Sequence, residues 1–409
     1  MASIRGNGPA VPLAAGINVH VYQTPCTHES RILKITKFLA RHGHFERIVI
    51  AATWHEGLSE REQLDERREV VRVRARHCST GHGALGKVTR ALEWQARVAH
   101  LIWRIRPTCL NCHNVWLLPL CIVLKWLCRC RLIYDTHELE TETSASHGVR
   151  RLVVKLIERM GIRAADAVVV VGETIGEWYR HAYSLPQVYV VRNLPPARES
   201  ILPSSRLRTA VGLSEGEVLC LYQGVLGKGR GIPVLLKAFE SLPSHIHLVF
   251  LGYGAFQEQI VQTAARHANV HFLPAVPPDE LAAWTAGADL GVSLIEDISL
   301  SYRYCLPNKF FEYLQAGVPV LASSLPEMRA LIDQHACGWH VAPDASEIAS
   351  LLRGLHPSDL RRCRCHAVAC SGQYTWEREE RVLFDLYGRL ALLRRSSHQG
   401  GGTSVTSAA

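Results

Sequence analysis

Short β-branched runs alternate with helical patterns along most of this chain, and the alternation is broken once near the middle. A chain of this kind folds into parallel sheets wrapped by crossover helices, because each strand must be carried back to the same end of the sheet before the next begins. In the first half, strands are expected at residues 18–22, 47–51, 70–73, 131–134, 167–171 and 188–191, with helices at 30–42 and 148–159. The prolines of Asn193-Leu194-Pro195-Pro196, followed by the polar stretch 197–208, interrupt the pattern and mark a linker. The alternation restarts with strands at 218–222, 246–251, 270–273, 289–294 and 318–322, and helices at 346–355 and 376–393 close it. The Ser/Gly-rich residues 396–409 are expected to be disordered.

At 409 residues the chain exceeds one typical core and suits two domains, each of about 180 residues. We expect an α/β protein with two Rossmann-like domains, residues 1–195 and 196–375, followed by a helix at 376–395. In open parallel sheets ligands bind beyond the carboxyl ends of the strands. Two such domains facing each other imply a cleft, and the chemistry should lie in the loops that follow strands.

The net charge of +9 calls for an anionic partner, whether nucleic acid, a phosphorylated substrate or an acidic membrane surface. The aromatic-basic modules of nucleic-acid binders are missing, so nucleic acid is not expected. An odd 13 cysteines, with no sustained apolar run at residues 1–15, point to a reducing cytoplasm. The longest apolar run, residues 115–124, is too short to cross a bilayer. Basic positions Arg150, Arg151, Lys155, Arg159 and Arg163 in one helix could rest on anionic lipid or simply face water. Cys109-x-x-Cys112 and Cys128-x-Cys130 have spacings that can hold zinc, but side chains three apart on a strand point to opposite faces, and no metal is expected.

Two loops in the second half could grip an anion. Pro307-Asn308-Lys309-Phe310-Phe311-Glu312-Tyr313 opens a helix that Asn308 can cap, whose free N–H groups and positive dipole end favour a phosphate. Glu312 lies about one turn in, within reach of sugar hydroxyls. Gln223-Gly224-Val225-Leu226-Gly227-Lys228-Gly229-Arg230-Gly231 follows a strand, and its glycines allow close backbone approach while Lys228 and Arg230 supply charge. Gly252-Tyr253-Gly254 ends the next strand. In the first half, Asn111-Cys112-His113-Asn114 and Asp135-Thr136-His137-Glu138 end two strands, and Arg31 opens the first helix.

Together these segments resemble the retaining glycosyltransferases of the two-domain GT-B fold, particularly the large family four (group 1). The resemblance runs from about residue 17 to about residue 390 and is strongest over 222–238 and 289–342. Glu312 matches the second glutamate of the family's usual pair, with Tyr304 at the first position. Arg230-Gly231 matches a basic-glycine element, whereas Val225 replaces an arginine. His113 matches the second histidine of a His-x-His segment whose first position is Asn111, and Thr24-Pro25-Cys26-Thr27 replaces a Gly-Gly turn. The resemblance implies a catalytic set of His113, Arg230 and Glu312. It also implies donor contacts at Gly224, Lys228, Gly252, Asn308 and Lys309, and acceptor-side contacts at Arg31, His137 and Glu138. Arg230 and Lys228 would stabilise the leaving diphosphate, Asn308 and Lys309 would orient it, and Glu312 would hold sugar hydroxyls. The donor would be a nucleoside diphosphate sugar, with no metal or other cofactor, and the acceptor a glycan or a lipid-linked molecule in polysaccharide or glycolipid assembly. The helix at 376–395 resembles one that crosses back to the first domain. The setting expected is the cytoplasm, peripheral to the inner face of a membrane. Two alternatives share this architecture: a non-catalytic homologue that binds a partner, and a nucleotide-sugar epimerase.

Overall fold

The computed structural model describes residues 16–75, 84–198, 204–214 and 216–399. They form two compact units, one from residues 16–141, 146–191 and 380–399, the other from residues 142–145 and 192–379.

The first unit carries an eight-stranded sheet of β1 Ile17–Val21, β2 Arg47–Thr53, β3 Arg61–Gln63, β4 Arg68–Val73, β5 Cys109–Cys112, β6 Arg131–Asp135, β7 Ala167–Val170 and β8 Tyr189–Val190. Their order is β3-β4-β2-β1-β5-β6-β7-β8. Every pairing is parallel except that of β3 with β4. The interiors of β2 and β7 are buried at every position, as expected of parallel strands covered on both faces. β3 was not expected, because its residues Arg-Glu-Gln are all exposed and show no apolar alternation.

The second unit carries six parallel strands, β9 Val218–Val225, β10 Ile246–Tyr253, β11 Val270–Pro274, β12 Leu290–Ser293, β13 Val320–Ser323 and β14 Gly338–Val341, in the order β11-β10-β9-β12-β13-β14. Helices Ala84–Ile105, Glu173–Tyr183 and Pro357–Ser371 also lie outside the sequence expectations. The apolar run 115–124 becomes a 3-10 turn and helix Leu118–Cys128, started by a proline at its amino end. Residues 396–399 continue helix Trp376–Gln399, and the rest of the tail expected to be disordered lies outside the described residues. From Glu380 onward this helix groups with the first unit. Its opening turn straps the end of the proline break: the Trp376 N–H donates to Pro195 O at 2.9 Å, and Glu379 accepts from the Arg192 N–H at 2.7 Å.

Both sheets reverse their strand order once, between β1 and β5 and between β9 and β12. The second reversal leaves β9 and β12 paired only at Cys220↔Leu290 and Leu221↔Gly291 before they diverge. Tyr313 fills the opening. A Cβ on Gly291 would sit 2.3 Å from the Tyr313 ring, so only glycine lets the ring lie there. The Tyr313 hydroxyl lies 2.9 Å from Leu221 O and 3.2 Å from Val292 O, and accepts from the Gln223 N–H at 3.1 Å. One side chain thereby bridges two strands that no longer reach each other. Tyr313→Phe keeps the ring and strips these partners, so it should destabilise the protein by about 1–3 kcal/mol, read as a lower urea midpoint, because buried backbone groups lose their only replacement for a ladder.

Candidate functional site

In the first unit, period-two spacing on neighbouring strands gathers polar side chains at one place. Asn18, His20 and Tyr22 alternate along β1 and its exit, Asn111 and His113 along β5 and its exit, and Asp135 and His137 along β6 and its exit. The register pairs Asn18 with Cys109 and His20 with Asn111, which puts these residues side by side at the carboxyl ends where the strand order reverses. Asn18 donates to Asn111 Oδ1 at 2.8 Å, and Asn111 donates to the Tyr387 hydroxyl at 2.9 Å, fastening the closing helix to the sheet.

Above this row stand three imidazoles and a carboxylate. His113, fully buried, lies 2.8 Å from His20 Nδ1 through Nε2, and 3.1 Å from His137 Nε2 and 3.3 Å from Asp135 Oδ2 through Nδ1. A neutral imidazole carries one N–H. With that hydrogen on Nδ1, facing Asp135, His113 Nε2 accepts from His20 Nδ1–H. His20 Nε2 is then left bare, and it is a buried atom without a hydrogen-bond partner.

Arg31 supplies the countercharge. Its Nε and Nη2 donate to Asp135, Nη2 at 2.6 Å, and Nη1 donates to Val191 O at 2.5 Å. Arg31, expected among the acceptor-side contacts, is thus engaged with Asp135 in the interior and is 4% exposed. Burial would raise the Asp135 carboxyl, but the Arg31 guanidinium and the His113 hydrogen bond hold it well below the usual carboxylate range. Burial, then the neighbouring His113, lowers His20. Burial lowers His137 to about 3, with His113 and Arg31 adding to the effect. Glu138 stands exposed in the same loop, whereas Glu140, which the sequence did not single out, is raised to about 8 by burial and then by Glu138 and Glu158.

His113, Asp135 and His137 offer ligand atoms within 4.8 Å of one another, the one such group among the described residues. The Arg31 guanidinium on the same carboxylate opposes a second cation there. The cysteines at 109, 112, 128 and 130 are free thiols, and burial pushes Cys109 and Cys130 up, away from the thiolate a zinc ion requires.

In the second unit, β9 runs into the glycine loop at the other reversal. Gly229 and Gly231 have φ of 76° and 67°, and a Cβ on either would strike Tyr302 at 2.5 Å or Leu294 at 2.7 Å. The Gly231 N–H donates to Glu296 Oε1 at 3.1 Å, which closes the loop over β12. Arg230 lies with its guanidinium 5.2 Å from the Tyr302 ring centre, and Lys228 is exposed. At Gly252 a Cβ would fall 1.9 Å from Gly224 O on the adjoining strand, so the close approach of the two strands there requires glycine.

Helix Asn308–Gln315 approaches this loop from the side. Pro307, extended at φ −68° and ψ 143°, takes the cap position, so Asn308 becomes the first helical residue and makes no capping bond, contrary to expectation. Lys309 reaches back beneath the loop. Its Nζ lies 3.6 Å from the Tyr222 ring centre, its Cε is 4.0 Å from where a Cβ on Gly224 would be, and its Nζ is buried without a hydrogen-bond partner. Burial, then the charge of Arg230, pushes this ammonium down to about 7. One turn on, Glu312 accepts from Gln223 Nε2 at 2.6 Å, and Gln223 in turn accepts from the Thr285 hydroxyl at 2.8 Å. The structure thus brings Gly224, Arg230, Lys309 and Glu312 to one strand end, and leaves Lys228 and Asn308 outward at its margin.

Two family models match, one in each half of the chain. Residues 28–193 match the glycosyl transferase 4-like domain, and residues 217–356 match the glycosyl transferases group 1. The chain is a glycosyltransferase, with a 4-like domain in its first half and a group 1 domain in its second. Among solved structures, this glycosyltransferase is similar to the sucrose-phosphate synthase of Thermosynechococcus elongatus, with a TM-score of 0.75 at 16% identity over 91% of this chain and 98% of that one. It is also similar to the Anabaena protein HepE solved with UDP-glucose, with a TM-score of 0.69 at 14% identity over 91% and 100%. A third is WaaG, a glycosyltransferase involved in lipopolysaccharide biosynthesis, with a TM-score of 0.66 at 16% identity over 91% and 99%. These likenesses show the GT-B fold, two parallel-sheet α/β domains. No curated protein sequence matches the chain.

The lowered histidines carry a consequence for stability. Folded His20 and His137 bind fewer protons than their unfolded counterparts, so their contribution is complete above about pH 6.5 and is lost as pH falls from there, for His137 down toward about 3. Urea midpoints measured across that window should drop steadily with acid, and His137→Gln should flatten the slope.

Proposed function

We propose that this glycosyltransferase moves a sugar from a nucleoside diphosphate donor to an acceptor hydroxyl with retention of anomeric configuration, in the assembly of a polysaccharide or glycolipid. The observation that carries the donor assignment is Lys309: a buried ammonium with no hydrogen-bond partner, beside Arg230 and a glycine loop, where an anion would neutralise both charges. In this reading the diphosphate lies against Gly224, Lys309 and Arg230, with Lys228 at the margin. The two cations stabilise the negative charge that grows on the diphosphate as the glycosidic bond breaks, which is the electrostatic role that dominates many such reactions. Glu312, held by Gln223, accepts from sugar hydroxyls.

The first unit binds the acceptor through His113 and its neighbours. Arg31 acts there as a positioning residue, because it holds Asp135 and Asp135 orients His113. Retention follows from the family resemblance of residues 307–313, and we expect no metal in the reaction. UDP-sugars are the first donors to try, since HepE was solved with UDP-glucose, and a lipid-linked glycan is the first acceptor class, since WaaG serves lipopolysaccharide. We also place the protein at the cytoplasmic face of a membrane. No helix among the described residues is long and apolar enough to cross one.

Titration calorimetry with UDP-glucose and GDP-mannose, followed by transfer assays in EDTA, tests this reading. Arg230→Ala should lower turnover by about 100-fold or more, and unchanged donor affinity and turnover in a joint Arg230→Ala/Glu312→Gln variant would refute it. Because Lys309 titrates near 7 when unoccupied, an anionic donor should draw a proton onto it. Donor affinity should therefore weaken as pH rises above 7, with proton uptake seen as a buffer-dependent heat, and Lys309→Met should abolish that dependence.

A further inference from the structure

Helix Gly148–Ile162 turns its only carboxylate inward and its apolar stripe outward. Its buried positions are Val154, Glu158, Gly161 and Ile162, and the Glu158 carboxylate accepts hydrogen bonds from the hydroxyls of Tyr134, Tyr179 and Tyr183 at 2.8, 2.6 and 2.5 Å. Val149, Leu152, Leu156 and Met160 follow one another at helical spacing on the opposite side and are 58–76% exposed. Core packing explains the first stripe and leaves the second unexplained.

The helix Leu118–Cys128 packs beside it and carries exposed apolar side chains of its own. A Cβ on Gly161 would fall 2.4 Å from Leu118, so glycine at that position lets the two helices press together. Trp126, 70% exposed, and Leu127 point away from the core of this second helix, whose sequence contains no acidic residue. Exposed charges on the two helices and at their ends are all basic: Arg150, Arg151 and Arg159 on the first, Arg163 and Arg129 just beyond. Apolar groups set in a field of one sign call for a partner of the other sign with an apolar interior. An anionic bilayer is such a partner, and a tryptophan beside arginines suits its interface. A second copy of this chain is not, since a two-fold contact would set these arginines against their own kind.

We propose that the face made by helices Gly148–Ile162 and Leu118–Cys128 docks on an anionic membrane surface, with Trp126, Leu152, Leu156 and Met160 entering the bilayer interface. This deepens the membrane location proposed above and rests on it, while standing independently of the transfer chemistry. The face would hold the enzyme at the lipid without any spanning segment.

Co-sedimentation with vesicles of phosphatidylcholine, with and without phosphatidylglycerol, tests the proposal on the full chain. The unaltered protein should pellet with the anionic vesicles, and Trp126→Glu/Leu156→Glu should weaken that partition by about tenfold or more. Both side chains are exposed, so the variant's melting temperature and donor affinity should stay unchanged. A double variant that pellets like the unaltered protein overturns this surface while leaving the membrane location standing. An unaltered protein that stays in the supernatant with anionic vesicles overturns both. Self-association that the same substitutions abolish, without lipid binding, would assign the face to a second copy and likewise overturn the proposal.

Discussion

A parallel sheet whose strand order reverses must open where the two central strands part, and the backbone groups exposed there need partners that the ladder no longer supplies. In the second unit the Tyr313 hydroxyl meets this need by bonding to β9 and lying within reach of β12, in space that Gly291 leaves free. Its neighbours in the same helix are placed by that anchor. Glu312 faces Gln223 and Lys309 reaches under Gly224, because the turn that carries them is pinned to the strand ends. The glycine loop closes the other side, held by Glu296. The first unit meets its own reversal differently: β1 and β5 stay paired through Val21↔Cys112, and amide and imidazole side chains stack along them.

The two clusters differ in how charge is balanced. In the first unit the buried carboxylate of Asp135 is matched by Arg31, and burial holds His20 and His137 neutral around the pair. Such a pair repays its desolvation only when its geometry is well satisfied, and the forked contact with the further bond to Val191 O provides that. In the second unit Lys309 and Arg230 lie near each other, and Lys309 has an aromatic face in place of a hydrogen-bonding partner. The first cluster pairs its buried carboxylate with a buried cation. The other sets a buried ammonium near a guanidinium, at a cost that a bound anion would reduce. The same sorting governs helix Gly148–Ile162, where three tyrosines take Glu158 into the interior and the outward side is left apolar and basic.

Alternation of strand and helix, the proline break and the chain length were enough to anticipate two parallel-sheet α/β domains, since each follows from local periodicity. Gly224, Arg230, Lys309 and Glu312 were legible as well, because glycines and charges at strand ends form a local signal. His20 was not. It sits inside an apolar strand, and only the pattern Asn18, His20, Tyr22 beside Asn111, His113 would have marked it, which requires knowing that β1 adjoins β5. β3 and helix Ala84–Ile105 escaped for want of a clear pattern, and Asn308 lost its cap role to Pro307 by a one-residue shift in where the helix begins.

By itself the sequence determined which elements form and which loops carry glycine and charge, for these depend on residues near one another in the chain. Only the tertiary structure decided that Arg31 would be consumed by Asp135 more than a hundred positions away, and that Lys309 would lie unpartnered over Tyr222. It also decided which stripe of helix Gly148–Ile162 faces water. The physical reason is that desolvation and charge pairing depend on what surrounds a group in space, and those surroundings come from strands and helices far apart in the chain.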